Sequence, residues 1–189
     1  MLKTVATLAF LGAFALPAAA STMPRADITG RDMRYFGLGL GHALSVSADV
    51  ALAPQWTLGA SLGTGYWNDP EPYRYDVRWV YSFVTGGRTG LSIAGILGIW
   101  GGTTFQNPYN LDHLPVPEVG FGLAYPFTRD LVARLNLIVP YYGQVPGPYF
   151  YMFGGPSGGL ELGYRVRPYM EATLGINGQG NYLGMKLDF

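Results

Sequence analysis

The stretch YLGMKLDF, residues 182–189, ends the chain in strict alternation. Its leucines, methionine and phenylalanine fall on one side of an extended strand, and its tyrosine, glycine, lysine and aspartate fall on the other. This period of two predicts a β-strand with one apolar face, and Phe189 places an aromatic ring at the terminus itself. A soluble sheet can also show such alternation, so the other segments of the chain are needed to decide whether the protein is soluble.

The same alternation recurs upstream and predicts an all-β protein. The clearest case is Tyr75–Phe83, in which aromatic and apolar side chains alternate with Asp76, Arg78 and Ser82. Together with the last strand, ten strands are predicted, and the preceding nine cover residues 34–41, 44–52, 57–65, 75–83, 91–100, 116–127, 131–139, 159–166 and 170–176.

The connections between these strands alternate in length. Short turns at residues 53–56, 86–88, 128–130 and 167–168 interleave with longer segments rich in Pro, Gly and Tyr. Antiparallel barrels of the outer membrane have short periplasmic turns and longer extracellular loops. The connection at His42-Ala43 is very tight, and if residues 36–53 were one bent strand the count would be odd. Ten strands are therefore favoured, and eight is the alternative.

The amino terminus has the pattern of a secretory signal peptide. Lys3 precedes an apolar run that ends at Pro17, and three alanines lead to Ser21, which predicts cleavage after Ala20. The apolar run is shorter than the roughly 20 residues that a membrane-spanning helix needs. The predicted organisation is a signal peptide over 1–20, a flexible periplasmic lead-in over 21–33 and a barrel domain over 34–189.

Composition narrows the functional classes. Twelve basic residues balance twelve acidic ones, so no basic surface for nucleic acid is expected. The chain has no cysteine, which excludes a disulfide framework and a lipoprotein anchor. Charged residues make up only 13%, whereas Gly and Tyr are abundant. Since no apolar stretch after the signal approaches the length of a spanning helix, a membrane location would require a barrel.

These features together resemble small bacterial outer-membrane β-barrels of the OmpA, OmpX or OmpW kind, over residues 34–189. The resemblance implies an antiparallel up-and-down transmembrane barrel in the outer membrane, in contact with its lipid. It also implies that Phe189 is an assembly signal read by the barrel-assembly machinery. The apolar strand face would then point to lipid, whereas a soluble lipocalin-like barrel would turn the same face inward.

With the apolar face outward, the opposite face places charged side chains in the lumen. Interleaved charges of opposite sign, such as Arg134 with Glu118 or Glu161, can pair there and form a polar plug, or they can select ions along a pathway. The plug is favoured because small barrels have little free bore. The predicted lumen charge network is Asp49, Asp76, Arg78, Glu118, Arg134, Glu161, Arg165, Glu171, Lys186 and Asp188.

No complete catalytic or cofactor-binding constellation is found in the sequence. His42 and Ser45 have an odd separation and would not share a strand face, unlike the Ser-His pair of outer-membrane lipid A deacylases. His113 beside Asp112 has no further histidine to complete a common zinc site. We therefore expect no catalytic residue, metal or cofactor.

Aromatic side chains concentrate at or beyond the strand ends on the long-loop side. Most of them are expected to form the interfacial belt of a membrane protein. Tyr-rich loops stiffened by Pro could also bind a surface ligand or a partner protein. The set is Tyr66, Trp67, Trp100, Tyr141, Tyr142, Tyr149, Phe150 and Tyr151.

The leading functional hypothesis is a structural or adhesion-type outer-membrane barrel. A narrow channel or transporter for small or hydrophobic solutes is the alternative, and an enzyme that modifies lipid A is the third.

Overall fold

The fold is given by a computed structural model that describes residues 23–27, 34–40, 44–64, 73–86, 90–102, 115–141, 157–177 and 180–188. Within these ranges the regular structure consists of ten β-strands, which confirms the all-β prediction and the count of ten. In the same ranges no helix has the length and apolar character needed to cross a membrane.

The ten strands lie close to the predicted segments. Most of the differences are one or two residues at a strand end, as expected where turns fray from the ladder. The bounds are β1 Arg34–Leu40, β2 Leu44–Ala53, β3 Trp56–Thr64, β4 Tyr73–Val84, β5 Ser92–Gly102, β6 Val116–Pro126, β7 Leu131–Pro140, β8 Gly159–Arg167, β9 Met170–Asn177 and β10 Gly180–Asp188.

Each strand pairs antiparallel with its neighbours in the chain, and β1 pairs with β10 to close the sheet into a barrel. The closing register runs from Tyr35 opposite Asp188 to Leu40 opposite Leu183. Leu40 also lies opposite Leu44, so β1 and β2 form a hairpin instead of one bent strand. The eight-strand alternative is therefore wrong. Closure gives each of the ten described strands a partner on both sides.

The two ends of the barrel differ. At one end, here called the turn end, β1 begins, β10 ends, and strands are joined through residues 54–55, 85–91, 127–130 and 168–169. At the other, the loop end, strand ends flank the long connections 65–72, 103–115 and 141–158. Two short connections, 41–43 and 178–179, also join strands at the loop end. The predicted asymmetry thus holds for three of the five connections there.

The outside of the barrel is apolar and the inside is polar. Along β4, Val77, Trp79 and Phe83 are exposed, whereas Asp76 and Arg78 are buried. The same division holds on β6, where Phe121 is exposed and Glu118 is buried. This arrangement is the reverse of a soluble barrel, whose apolar side chains lie inside. An apolar outer band around a polar interior is the arrangement of a barrel that faces lipid.

Candidate functional site

The candidate site is the lumen, because the strands bring most of the predicted charges together there. Arg165 and Asp188 are only partly buried, near the turn end. In the described ranges, no ion pair joins Arg165 to a carboxylate. The other eight predicted side chains point inward and are buried: Asp49, Asp76, Arg78, Glu118, Arg134, Glu161, Glu171 and Lys186.

Arg134 on β7 is the centre of the larger ion-pair network. Its Nη1 donates to Glu161 at 2.8 Å and to Glu171 at 2.6 Å, and its Nε donates to Asp27 at 2.9 Å. Lys186 on β10 donates to the same Glu161 oxygen at 2.6 Å. We call these five residues the Arg134 cluster. Charges this deeply buried are tolerated only when they are paired and hydrogen-bonded.

Arg78 on β4 forms a second network across the lumen wall. Its guanidinium donates to both oxygens of Asp49 at 3.3 Å and to Asp76 at 2.8 Å, and Ser61 donates to Asp76. Gly59 lies beneath the pair, and a Cβ there would overlap the Asp49 carboxylate and lie 2.9 Å from Arg78 Nε. Only glycine leaves room for this contact. We call Asp49, Asp76 and Arg78 the Arg78 cluster.

Glu118 on β6 differs from the other lumen carboxylates. It is 3% exposed, and in the part of the chain that the structure describes neither of its oxygens accepts a hydrogen bond. Its side chain lies over Gly98, where a Cβ would be 2.6 Å from Oε1. Arg78, two strands away, already donates to Asp49 and Asp76. Glu118 is therefore a buried acid that faces the Ser157 hydroxyl and pairs with no cation of the described residues.

The segment Met23–Asp27 lies inside the barrel, which corrects the prediction of a flexible periplasmic lead-in for these five residues. Met23, Arg25 and Ala26 are at most 2% exposed. Arg25 donates to Asp188 at 3.0 Å, and Asp27 pairs with Arg134. The prediction of a lead-in depends on charges and a proline, which are typical of solvated chain. In this barrel the lumen wall satisfies those charges, so the segment is ordered.

The charge of Asp27 is stabilised by its neighbours. Burial opposes ionisation, but the guanidinium groups of Arg134 and Arg25 outweigh it and hold the pKa of Asp27 well below its usual range. A carboxylate at residue 27 therefore stays ionised at neutral and mildly acidic pH. The sequence offers one signal for this pairing, an arginine and an aspartate two residues apart before the first strand.

The predicted aromatic belt needs one correction. Trp100 lies on the inward face of β5, opposite Asp76 and Val116, and is only 2% exposed. The physical reason is that β5 continues to Gly102 and keeps its alternation, so Trp100 points inward next to the exposed Ile99. Tyr141 is 70% exposed at the end of β7, as a belt residue would be. Outside the described residues lie Tyr66, Trp67, Tyr142, Tyr149, Phe150, Tyr151 and the terminal Phe189.

Two groups of exposed aromatic side chains that the sequence analysis missed lie near the turn end. The ring of Trp56 lies 4.7 Å from that of Tyr81, which lies 5.0 Å from that of Phe83. Tyr125 and Phe127 form a similar pair at 5.4 Å on the outside of β6. Each of these residues stands near the short-turn end of its strand, and that position is the available signal. Aromatic girdles at both interfaces are a feature of transmembrane barrels.

Two other predicted features fall partly outside the described ranges. His42, Asp112 and His113 lie there, so the structure gives no geometry for them. Ser45 is buried, and its hydroxyl donates to the Gly39 carbonyl at 3.4 Å. Among the described residues no three side chains of metal-ligating type are grouped to hold an ion.

The inverted polarity and the aromatic girdle decide the architecture. The fold is that of a small transmembrane β-barrel. Among solved structures, the chain is similar to the N-terminal β-barrel domain of Pseudomonas aeruginosa OprF. The identity is 16%, the TM-score is 0.41, and the match covers 85% of this chain and 100% of that one. No protein-family model matches the sequence, and neither does any curated protein.

Proposed function

We propose that this protein is an integral barrel of the bacterial outer membrane with a closed lumen and a structural or surface-interaction role. The observation that carries the proposal is the Arg134 cluster, in which an arginine and a lysine are fully buried among carboxylates on the inner face of the barrel. These paired side chains, together with the buried segment Met23–Asp27 that lies against them, support a lumen without a continuous water path. The role then lies with the outer wall and the loop end.

The outer wall supports the membrane location. Leu97, Phe121 and Leu162 are large apolar side chains that remain exposed on three different strands. A monomeric soluble protein rarely shows so continuous an apolar surface. Lipid of the outer membrane is therefore the proposed partner of this wall, and the predicted signal peptide supports export to it.

The loop end supports surface interaction. Connections 65–72, 103–115 and 141–158 carry most of the aromatic residues singled out in the sequence, and short turns occupy the other end. Loops held by a rigid barrel commonly carry binding functions. The proposed ligand is a surface molecule or partner protein that contacts these tyrosines.

A narrow channel is the second candidate, and Glu118 is the observation that favours it. An unpaired carboxylate in a lumen can bind a passing cation, whereas carboxylates fixed by arginine cannot. Planar-bilayer recordings separate the two candidates. The closed-barrel proposal expects no steady conductance from the purified wild-type protein, and a cation-selective current abolished in Glu118→Gln would establish the channel instead.

The location is tested by membrane fractionation combined with a heat-modifiability gel. The mature protein, expected to begin at Ser21, should be found in the outer membrane and should migrate differently when it is not heated. Recovery from the soluble periplasm would contradict the membrane proposal.

The proposed contact with the assembly machinery has its own test. Deletion of Phe189 should lower the yield of inserted protein more than the neighbouring change Asp188→Asn does, because the terminal aromatic is the recognised group. Equal yields of the two variants would remove Phe189 as an assembly signal.

A further inference from the structure

The lumen wall presents hydrogen-bonding groups to the backbone of the segment Met23–Asp27, as a peptide-binding site does. Tyr182 accepts a hydrogen bond from the Met23 amide at 3.3 Å, and Lys186 and Tyr35 donate to the Met23 carbonyl at 3.1 and 3.3 Å. Asn136 donates to the Pro24 carbonyl at 3.1 Å. Side chains of the wall thus satisfy the backbone of a segment that belongs to no strand.

Two side chains of the segment add sequence-specific contacts. Asp27 accepts from Nε and Nη2 of Arg134 at 2.9 and 3.0 Å, a two-point ion pair. Arg25 donates to Asp188 at 3.0 Å, and its guanidinium carbon lies 5.5 Å from the centre of the Tyr35 ring. The backbone contacts position the peptide, and these charged contacts select it.

The segment also reaches the opposite wall. Ala26 packs in an apolar cluster with Val80, Ala94, Ile96, Ala124 and Ile138, which lie on β4 to β7. Met23, by contrast, contacts the β10 side of the barrel through Tyr182. One short segment therefore touches both sides of the lumen.

The wall remains balanced without the segment. Arg134 keeps Glu161 and Glu171, and Lys186 keeps Glu161. Arg25 and Asp27 carry opposite charges, so their removal leaves the net charge of the lumen unchanged. Among the carboxylates that the structure describes on the wall, only Asp188, which is 25% exposed, loses an ion-pair partner. The barrel can therefore lose the segment without leaving a fully buried charge unpaired.

From these contacts we infer that the wall lined by Tyr35, Arg134, Asn136, Tyr182 and Lys186 is a binding site for a short Arg- and Asp-bearing peptide. Its ligand is the chain's own Met23–Asp27, which acts as a removable stopper of the lumen. This inference rests on the proposed closed barrel. It adds that the closed state depends on the segment, whereas the barrel fold does not.

Thiol labelling tests the position of the segment directly, because the chain has no cysteine. The Ala26→Cys variant of the inserted barrel should react with a membrane-impermeant maleimide at least about tenfold more slowly than the Tyr141→Cys variant, since a buried thiol reacts only when the segment leaves its site. Adding Arg25→Ala and Asp27→Ala to the Ala26→Cys variant should accelerate its labelling. Equal rates for the two single variants, or no acceleration, would overturn the inference.

Conductance tests the stopper. Mature protein lacking residues 21–27 should remain heat-modifiable and conduct in planar bilayers, and a synthetic peptide with the sequence STMPRAD should block the current. The control is the same peptide with alanine at the positions of Arg25 and Asp27, which should not block. A folded deletion variant that stays silent, or a current that ignores the peptide, refutes the stopper.

The two proposals fail in different ways. If wild-type protein conducts, or is found outside the membrane, the proposed closed outer-membrane barrel is wrong. If wild type is silent and inserted but the Ala26→Cys variant labels as fast as the exposed control, only the peptide site is wrong.

Discussion

The Arg134 cluster and the Arg78 cluster lie in the same lumen and differ in charge balance. With Arg25, the Arg134 cluster has three cations and three carboxylates, and each cation donates to at least one of these carboxylates or to Asp188. Around Arg78, one cation faces Asp49 and Asp76, and Glu118 stands nearby without a hydrogen bond in the described residues. The balanced side is covered by Met23–Asp27. The difference indicates that the ion pairs on one side of the lumen stabilise the fold. The other side retains an acid that pairs with no cation of the described residues.

Arg134→Leu should have the largest effect on this comparison. The change leaves Glu171 and Asp27 without their principal cation, and breaking a buried pair in this way costs about 3 to 5 kcal/mol. Urea unfolding in liposomes measures the free energy. The control is Arg129→Leu in the exposed turn before β7, which should change stability by less than about 0.5 kcal/mol. Similar stability of the two variants would show that the cluster is not structural.

Arg78→Leu should cost slightly less, about 3 kcal/mol, because Asp76 keeps the Ser61 hydroxyl as a donor. Arg78→Lys is the matched variant and should lie between leucine and wild type, since lysine keeps the charge but lacks the planar fork that reaches both aspartates. The same urea titration gives both values. A lysine variant no better than leucine would mean that geometry, and not charge, holds this cluster.

Glu118→Gln should have a much smaller effect, within about 0.5 kcal/mol of wild type. A buried carboxyl without a cation partner is held neutral, and glutamine replaces it with a neutral group of similar size. Glu161→Gln is the control and should destabilise, because Glu161 accepts from Arg134, Lys186 and Tyr182. If both substitutions destabilise equally, Glu118 has a cation partner in the folded protein and the contrast between the clusters disappears.

The smallest expected effect is that of mild acid on the segment. Because the pKa of Asp27 is lower in the folded protein than in the unfolded chain, its contribution is complete above the unfolded value and is lost only as the pH falls through the folded value. Arg25, Arg134 and Lys186 are the cations that face this carboxylate. The thiol of the Ala26→Cys variant should therefore stay equally protected from about pH 8 to about pH 5, after correction for its own ionisation. Loss of protection above pH 5 would contradict the ion pair as the anchor.

Much of the barrel follows from sequence because its two faces differ so strongly. In β4 and β7, a period of two separates apolar residues from Arg78 and Arg134, and register is fixed wherever a one-residue slip would reverse the faces. Strand ends are harder to predict. The sequence analysis places Trp100 in the outer belt because it takes the strand to end at that residue, whereas β5 continues to Gly102 and its alternation turns Trp100 inward.

The pairing within the lumen could not be predicted, because it depends on which inward side chains meet across the barrel. The sequence suggests Glu118 or Glu161 as a partner of Arg134, and the structure pairs it with Glu161, Glu171 and Asp27. Asp27 is more than a hundred positions away in the chain and precedes the first strand. No alternation or spacing links it to β7, so the sequence analysis missed the inserted segment.

The register between β1 and β10 has a consequence for the order of assembly. Tyr35 and Asp188 stand at opposite ends of the barrel sequence, so among the described strand pairs theirs closes the longest loop. This pairing stabilises the barrel only after the intervening strands are in place. Met23–Asp27 precedes β1 in the chain and is enclosed when that seam forms. An amino terminus still tethered to a bulky leader would have to thread through a finished ring. Release of the leader before the seam closes would let the segment be enclosed without threading.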